Sequence, residues 1–190
     1  ELPAAFPAGA LAPAAVVAPV PPLPEGGEPT FWAPIEVGSG SDPRVTLCKL
    51  DWAQYHRDPT VLPMNRDLVG ASRCNRQGSR SARLSQLIAE LPPGSLEPTG
   101  MVFHESRCGS TLVADMLGAP QHHLIWTESS PPAAIAARGD HDVLRKVMLL
   151  MCASPWHTRC FFKMQSINAP RIGVFRRAWP TVPWAFVYRD

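Results

Sequence analysis

The segment Met101-Val-Phe-His-Glu-Ser-Arg-Cys-Gly-Ser-Thr-Leu-Val113 decides how the chain is read. Its first half belongs to an apolar run, Gly100–His104, with the length and composition of a buried strand. A short polar turn follows, and Ser110–Leu117 reads as a helix that ends at Gly118. A strand turning tightly into a helix aims several unpaired backbone N–H groups, and the positive end of the helix dipole, at one point. An anionic phosphate satisfies that arrangement. Gly109 lets the backbone approach a ligand with no Cβ in the way. Ser110 and Thr111 add hydroxyl donors, and Arg107 adds a charge-assisted fork. The same residues can cap a helix without any ligand, but a bare cap requires neither Arg107 nor Gly109 beside it.

On both sides of this segment, short apolar runs alternate with helical patterns. Ser81–Leu91 carries Leu84, Leu87, Ile88 and Leu91 at helical spacing, and Pro92-Pro93-Gly94 stops it. After the loop come a strand over His123–Trp126 and a helix from about Pro131 to Gly139. An amphipathic helix over His141–Cys152 follows, with Val143, Leu144, Val147, Met148 and Met151 on one face. A strand over Cys160–Met164, a helix over Arg171–Trp179 and a strand over Trp184–Tyr188 complete the series. The alternation predicts an α/β fold, a P-loop NTPase-like parallel sheet with helices on both faces.

The chain divides into three parts. Residues 1–29 are almost entirely Ala, Pro, Gly, Val and Leu, and eight prolines interrupt them. Proline breaks helices and cannot donate to a sheet, so this stretch reads as a Pro/Ala-rich linker or disordered arm. Residues 30–98 form a poorly defined extension. Within it Val45–Leu50 alternates weakly like a strand, and Asp51–Tyr55 has the pattern of a helical turn. Gly38, Gly40, Pro43, Pro59 and Pro63 punctuate the rest. Arg73, Arg76, Arg80 and Arg83 make a basic cluster that reads as solvated surface. Residues 99–190 are the P-loop domain. The chain starts at Glu1 and stops at Asp190, directly after an apolar run, so both ends read as cuts. On that reading the last strand lacks a covering helix, and the chain as it stands is expected to be a poor or inactive catalyst. Its compartment is left open.

Composition excludes several classes. With 45% hydrophobic residues and a net charge of +2, the chain can build a core and gives no ground for a nucleic-acid partner. No apolar run is long enough to span a bilayer. Cys48, Cys74, Cys108, Cys152 and Cys160 show no CxxC pair and no zinc spacing. Their odd number argues against a complete disulfide framework, and most read as small buried hydrophobes. No acidic ligand accompanies the loop, so no metal is expected. His104 and Ser110 stand where a nucleoside-triphosphate loop needs glycine and lysine, which disfavours γ-phosphate transfer. A phosphatase-type Cys-x5-Arg reading of Cys108 fails at Ala114.

Three stretches resemble the sulfotransferase family. Ser106-Arg-Cys-Gly-Ser-Thr-Leu112 resembles its 5′-phosphosulfate-binding loop, with Cys108 where the family usually has serine. Pro183-Trp-Ala-Phe-Val-Tyr-Arg-Asp190 resembles the strand that opens the 3′-phosphate motif, whose arginine is Arg189 here. Phe161-Phe-Lys-Met-Gln-Ser166 resembles the strand of the catalytic lysine and histidine: Lys163 matches the lysine, and Gln165 replaces the histidine. The likeness covers residues 99–190. It implies transfer of a sulfuryl group from 3′-phosphoadenosine 5′-phosphosulfate to a hydroxyl or amine on a small-molecule or glycan acceptor. Ser106, Arg107, Cys108, Gly109, Ser110, Thr111 and Arg189 would hold that co-substrate.

Glutamine cannot serve as a base, so the acceptor's proton needs another partner. Glu128 follows the strand at the carboxyl end of the sheet, where ligands of α/β proteins bind, and is the first choice. It reads equally as a cap for the helix that follows. His104 is the second choice, and Lys163 is placed to contact the bridging oxygen or to snorkel from a strand end. The competing class is a non-catalytic P-loop module that binds a nucleotide or a partner, which Gln165 favours.

Overall fold

The computed structural model describes residues 30–72, 74 and 78–189. The proline-rich arm over residues 1–29 lies outside them, as do Arg73 and Arg76 of the basic cluster. Residues 32–49 form a hairpin of β1 (Trp32–Val37) and β2 (Arg44–Lys49). β3 (Arg80–Arg83) joins β2 antiparallel, with Arg44 opposite Arg83 and Leu47 opposite Arg80. This pairing delays the helix expected over Ser81–Leu91, which begins only at Leu84 as α3 (Leu84–Ala89). Pro34 is tolerated because β1 is an edge strand and its register shifts beside that residue. Between β2 and β3 lie α1 (Trp52–Arg57) and α2 (Asn65–Ala71). Asp51 caps α1, its carboxylate accepting from the amide of Gln54 at 3.0 Å.

The second sheet is the parallel one. It contains β4 (Gly100–His104), β5 (His123–Thr127), β6 (Arg159–Lys163) and β7 (Trp184–Val187), in the order β5-β6-β4-β7. The connections are α4 (Ser110–Gly118), then α5 (Ser130–Arg138) with α6 (His141–Cys152), then a 3-10 turn (Ser166–Arg171) with α7 (Ile172–Ala178). The helix expected over Arg171–Trp179 starts one residue later, because Pro170 sits in the 3-10 turn that precedes it. α4 carries the chain toward β5, whereas α7 carries it the opposite way toward β7. Right-handed crossovers then put α4 on one face of the sheet and α5, α6 and α7 on the other. The strand residues obey this division. Ile125 meets α4 at Gly118, Trp126 donates to the carbonyl of Met151 in α6 at 3.1 Å, and Phe103 packs edge-to-face on Phe175 of α7.

The N-terminal elements share the hydrophobic core of the parallel sheet. Trp52 of α1 packs edge-to-face on Trp126 at 5.1 Å. Tyr55 presses against α4 so closely that a Cβ at Gly118 would lie 2.4 Å from its hydroxyl and 2.6 Å from Ile125. β7 remains an edge strand, with Trp184 and Phe186 exposed. No helix among the described residues is long and apolar enough to cross a membrane.

The cysteines correct the sequence reading. Cys48 is bonded to Cys74 and Cys152 to Cys160, which leaves Cys108 as the free thiol. The four are buried, as small hydrophobes would be, but tertiary structure pairs them. The first bond ties β2 to the segment after α2, across 26 residues. The second ties the end of α6 to the start of β6, across 8 residues. Disulfides persist in oxidising compartments.

Cys48→Ala with Cys74→Ala should lower stability by about 2–4 kcal/mol, since the longer loop is left unconstrained in the unfolded chain; denaturant titration of the oxidised proteins measures it. Gly118→Ala should also destabilise, by about 1–3 kcal/mol, although alanine is the better helix former. Its methyl group must displace Tyr55 and Ile125, and thermal unfolding should fall by several degrees.

Candidate functional site

The carboxyl ends of β4, β5, β6 and β7 gather every site residue expected from the sequence. Residues 105–109 leave β4 and enter α4 as a tight loop. Its turn is made by Arg107 at φ +62° and Gly109 at φ +88°, left-handed conformations that favour glycine. Nothing lies within 4 Å of where a Cβ on Gly109 would sit, so the backbone there is open to a ligand. Among the described residues, none of the amides from Ser106 to Thr111 has an intramolecular partner. Ser106 and Arg107 are exposed, Cys108 and Thr111 are half-buried, and Ser110 is buried. The Cys108 thiol donates to the carbonyl of Glu105 at 3.0 Å, inside the loop. The Arg107 side chain makes no ion pair or hydrogen bond with another described residue.

Arg189 arrives by a different route. β7 pairs with β4 so that Val187 stands opposite His104, and the amide of Glu105 donates to the carbonyl of Val187 at 3.1 Å. Arg189, two residues further on and exposed, therefore flanks the start of the loop.

At the neighbouring ends of β5 and β6 lies an ion pair whose lysine is buried and whose glutamate is partly exposed. The parallel register sets Val102, Lys163 and Thr127 side by side on the face covered by α4. Lys163 is 1% exposed, and its ammonium donates to Oε1 of Glu128. Glu128 has φ +55°, the only non-glycine residue besides Arg107 with positive φ among the described residues. Its backbone is held from both sides. Its amide donates to the carbonyl of Lys163 at 2.7 Å, and its carbonyl accepts from Nε2 of Gln165 at 3.1 Å. Gln165, at the position of the expected histidine, thus fixes the strained turn that carries the carboxylate. Strain of this kind collects at functional sites.

His104 is buried with both ring nitrogens facing carbonyl oxygens, Nδ1 at 2.7 Å from that of Glu105 and Nε2 at 2.8 Å from that of Met164. Its Nε2 lies 3.6 Å from Oε1 of Glu128. Both nitrogens thus face main-chain carbonyls and not the open end of the sheet. The geometry gives His104 the work of tying β4 to the end of β6.

The sequence pattern does not single out Asp115, yet it belongs to this site. It is the only charged residue of α4, and its Oδ1 is buried without a hydrogen-bond partner. Burial raises its carboxyl above the usual carboxylate range, while the charge of Lys163 pulls it back down. That single acid in an otherwise uncharged helix is the signal by which it could have been found. Among the described residues no group of histidine, cysteine and acidic side chains is arranged to hold a metal ion.

The loop thus offers unpaired amides and a free guanidinium to an anion, and the ion pair below offers a carboxylate and an ammonium for proton and charge movement. No protein-family model, curated protein or solved structure matches the chain.

Proposed function

We propose that the chain is a sulfotransferase that takes a sulfuryl group from 3′-phosphoadenosine 5′-phosphosulfate to a hydroxyl or amine acceptor. The observation that carries this reading is one juxtaposition: the unpartnered amides from Ser106 to Thr111, with the free Arg107, follow β4 directly, and β4 pairs with the strand whose end carries the Glu128–Lys163 pair. A helix N-terminus with a glycine-opened turn suits a phosphosulfate, and Arg107 adds a forked contact. Arg189 lies at the flank where a second phosphate on the same nucleotide could be met. Loops of this kind bind by backbone donors and an arginine, so the nucleotide should bind without Mg²⁺.

Glu128 is then the base and Lys163 the cation at the bridging oxygen. In the resting state each satisfies the other. An acceptor hydroxyl that binds to Glu128 frees the ammonium for the oxygen that becomes negative as the sulfur leaves it. The non-catalytic reading is favoured by one observation, the structural use of Gln165 where a histidine base was expected. Turnover decides between the two.

Calorimetry with adenosine 3′,5′-bisphosphate, with and without Mg²⁺, should show the same affinity in both, and Arg107→Ala should weaken it by about ten- to a hundredfold. Unchanged binding by a folded variant would falsify the loop assignment. With labelled donor and a panel of phenol, sugar and amine acceptors, Glu128→Gln should lose about two to four orders of magnitude in turnover while nucleotide affinity stays within a few-fold. Both turnover measurements belong to the full-length parent, where binding without turnover across the panel would favour the non-catalytic module.

A further inference from the structure

The other end of the parallel sheet carries a second group of reactive side chains. The turn between α6 and β6 is fastened there at both ends. The Cys152–Cys160 disulfide closes it, the amide of Ser154 donates to the carbonyl of Cys152 at 2.7 Å, and that of Thr158 to the carbonyl of His122 at 2.9 Å. Inside the turn, Ser154 Oγ lies 2.5 Å from Nδ1 of His157. The same Oγ accepts from the amides of Trp156 at 3.4 Å and His157 at 3.3 Å. A serine hydroxyl has two lone pairs and one proton. The amides take the lone pairs, so the proton is directed to Nδ1, and the neutral imidazole carries its own hydrogen on Nε2. His157 is 6% exposed, with the rings of Trp156, Trp52 and Phe31 at centroid distances of 5.2, 6.1 and 6.3 Å. His56 adds a fourth ring at 5.6 Å, its own Nε2 facing the carbonyl of His123 at 2.9 Å. Closing a turn requires neither a histidine partner nor open space beside the serine. Yet Ser154 and His157 both line a cavity of about 380 Å³, walled by Pro92, Pro93, Leu96 and Ala153. A second hollow of about 200 Å³ shares Pro92 and Ala153 with the first and is lined further by Leu87, Leu91 and Leu150.

The geometry points to Ser154 as a nucleophile and His157 as its base, in a site that cleaves a carboxylic ester whose acyl chain lies along these hollows. The site stands at the amino ends of β5 and β6, opposite the loop between β4 and α4, and does not rest on the sulfuryl-transfer reading. Nδ1 removes the hydroxyl proton as Oγ forms a bond to the acyl carbon. The carbonyl electron pair moves onto its oxygen and returns as the bond to the alcohol oxygen breaks. That oxygen leaves with the bonding pair and takes the proton from Nδ1. Acyl-Ser154 remains, and water repeats the sequence: its proton passes to Nδ1 and then to Oγ as the carboxylic acid departs. The amides of Trp156 and His157, already directed at Oγ, stabilise the charge it gains as its proton leaves. Among the described residues that line the cavity, the base itself is the one titratable side chain, so the acyl chain it suits is neutral and apolar.

An alkyl fluorophosphonate tests the nucleophile in the whole oxidised chain, because attack by an activated serine breaks the P–F bond, expels fluoride and leaves a stable mass tag. Digestion and mass spectrometry should place that tag on Ser154. Ser154→Ala should take up none, and His157→Gln should react about a hundredfold more slowly or worse. The unaltered chain should hydrolyse p-nitrophenyl butyrate, and complete tagging should abolish that hydrolysis. A serine that only shapes the turn behaves differently: Ser154→Ala lowers the melting temperature, while the reagent leaves the unaltered chain unmodified or tags Ser95 or another residue. Either of those labelling results overturns the proposal. So does labelling of Ser154 at a rate that His157→Gln does not change, absence of ester hydrolysis before tagging, or hydrolysis that survives it. Should the variants not fold, the position of the tag on the unaltered chain decides: on Ser154 it supports the proposal, and its absence there overturns it.

Discussion

Lys163 is the group around which the domain is arranged. Its ammonium is withdrawn from water, and leaving such a charge unpaired costs several kcal/mol. Only a carboxylate brought to it can offset that. The chain delivers Glu128 on a turn with φ +55°, a conformation a glutamate adopts reluctantly. The turn holds because Lys163 and Gln165 grip its backbone from the neighbouring strand. β5 and β6 must therefore be in register with Thr127 beside Lys163, and His104 must bridge from β4 to the carbonyl of Met164. The ion pair is less a source of stability than a constraint that fixes which strands lie together and where their ends stop.

The strand order extends that constraint to the loop between β4 and α4. β4 lies between β6 and β7, and its loop opens beside the lysine on one side and beside Arg189 on the other. α4 leaves over the face on which Lys163 emerges, so one helix provides both the amides above and Asp115 below. On the proposed reading the first turn of this helix meets the anion, and Asp115 lies in its middle. Movement of α4 would alter both together, and Tyr55 pressed against Gly118 opposes such movement from the N-terminal layer.

The parallel sheet could be read from the sequence because its signals are local. Gly100–His104 is an uninterrupted apolar run, and His141–Cys152 repeats its apolar face under the cap of Asp140, so both have the expected limits. The antiparallel layer is hidden for the opposite reason. β3 is Arg-Ser-Ala-Arg, with no apolar alternation, and becomes a strand only because β2 offers it an edge. The disulfides were equally hidden, since Cys48 and Cys74 approach only after α1 and α2 have folded between them. At the site, the positions of the tight turn between β4 and α4 and of the strand ends were legible. The roles of His104, Gln165 and Asp115 were not, because they depend on which carbonyl or cation each meets across the sheet.

This division bears on how the chemistry is shared. The groups visible in the sequence are those that would touch a nucleotide, exposed at the loop or at the open end of the sheet. The groups that tertiary structure adds act on other protein groups: Gln165 on the Glu128 turn and His104 on the β4–β6 junction. A carboxylate tied to a lysine is at first sight a poor base, since its charge is already satisfied. On the proposed reading that tie is broken by the acceptor, whose hydroxyl displaces the ammonium from Glu128 as it binds. The missing histidine base is then no argument against catalysis, provided that the lysine passes to the oxygen that gains charge as Glu128 gives it up.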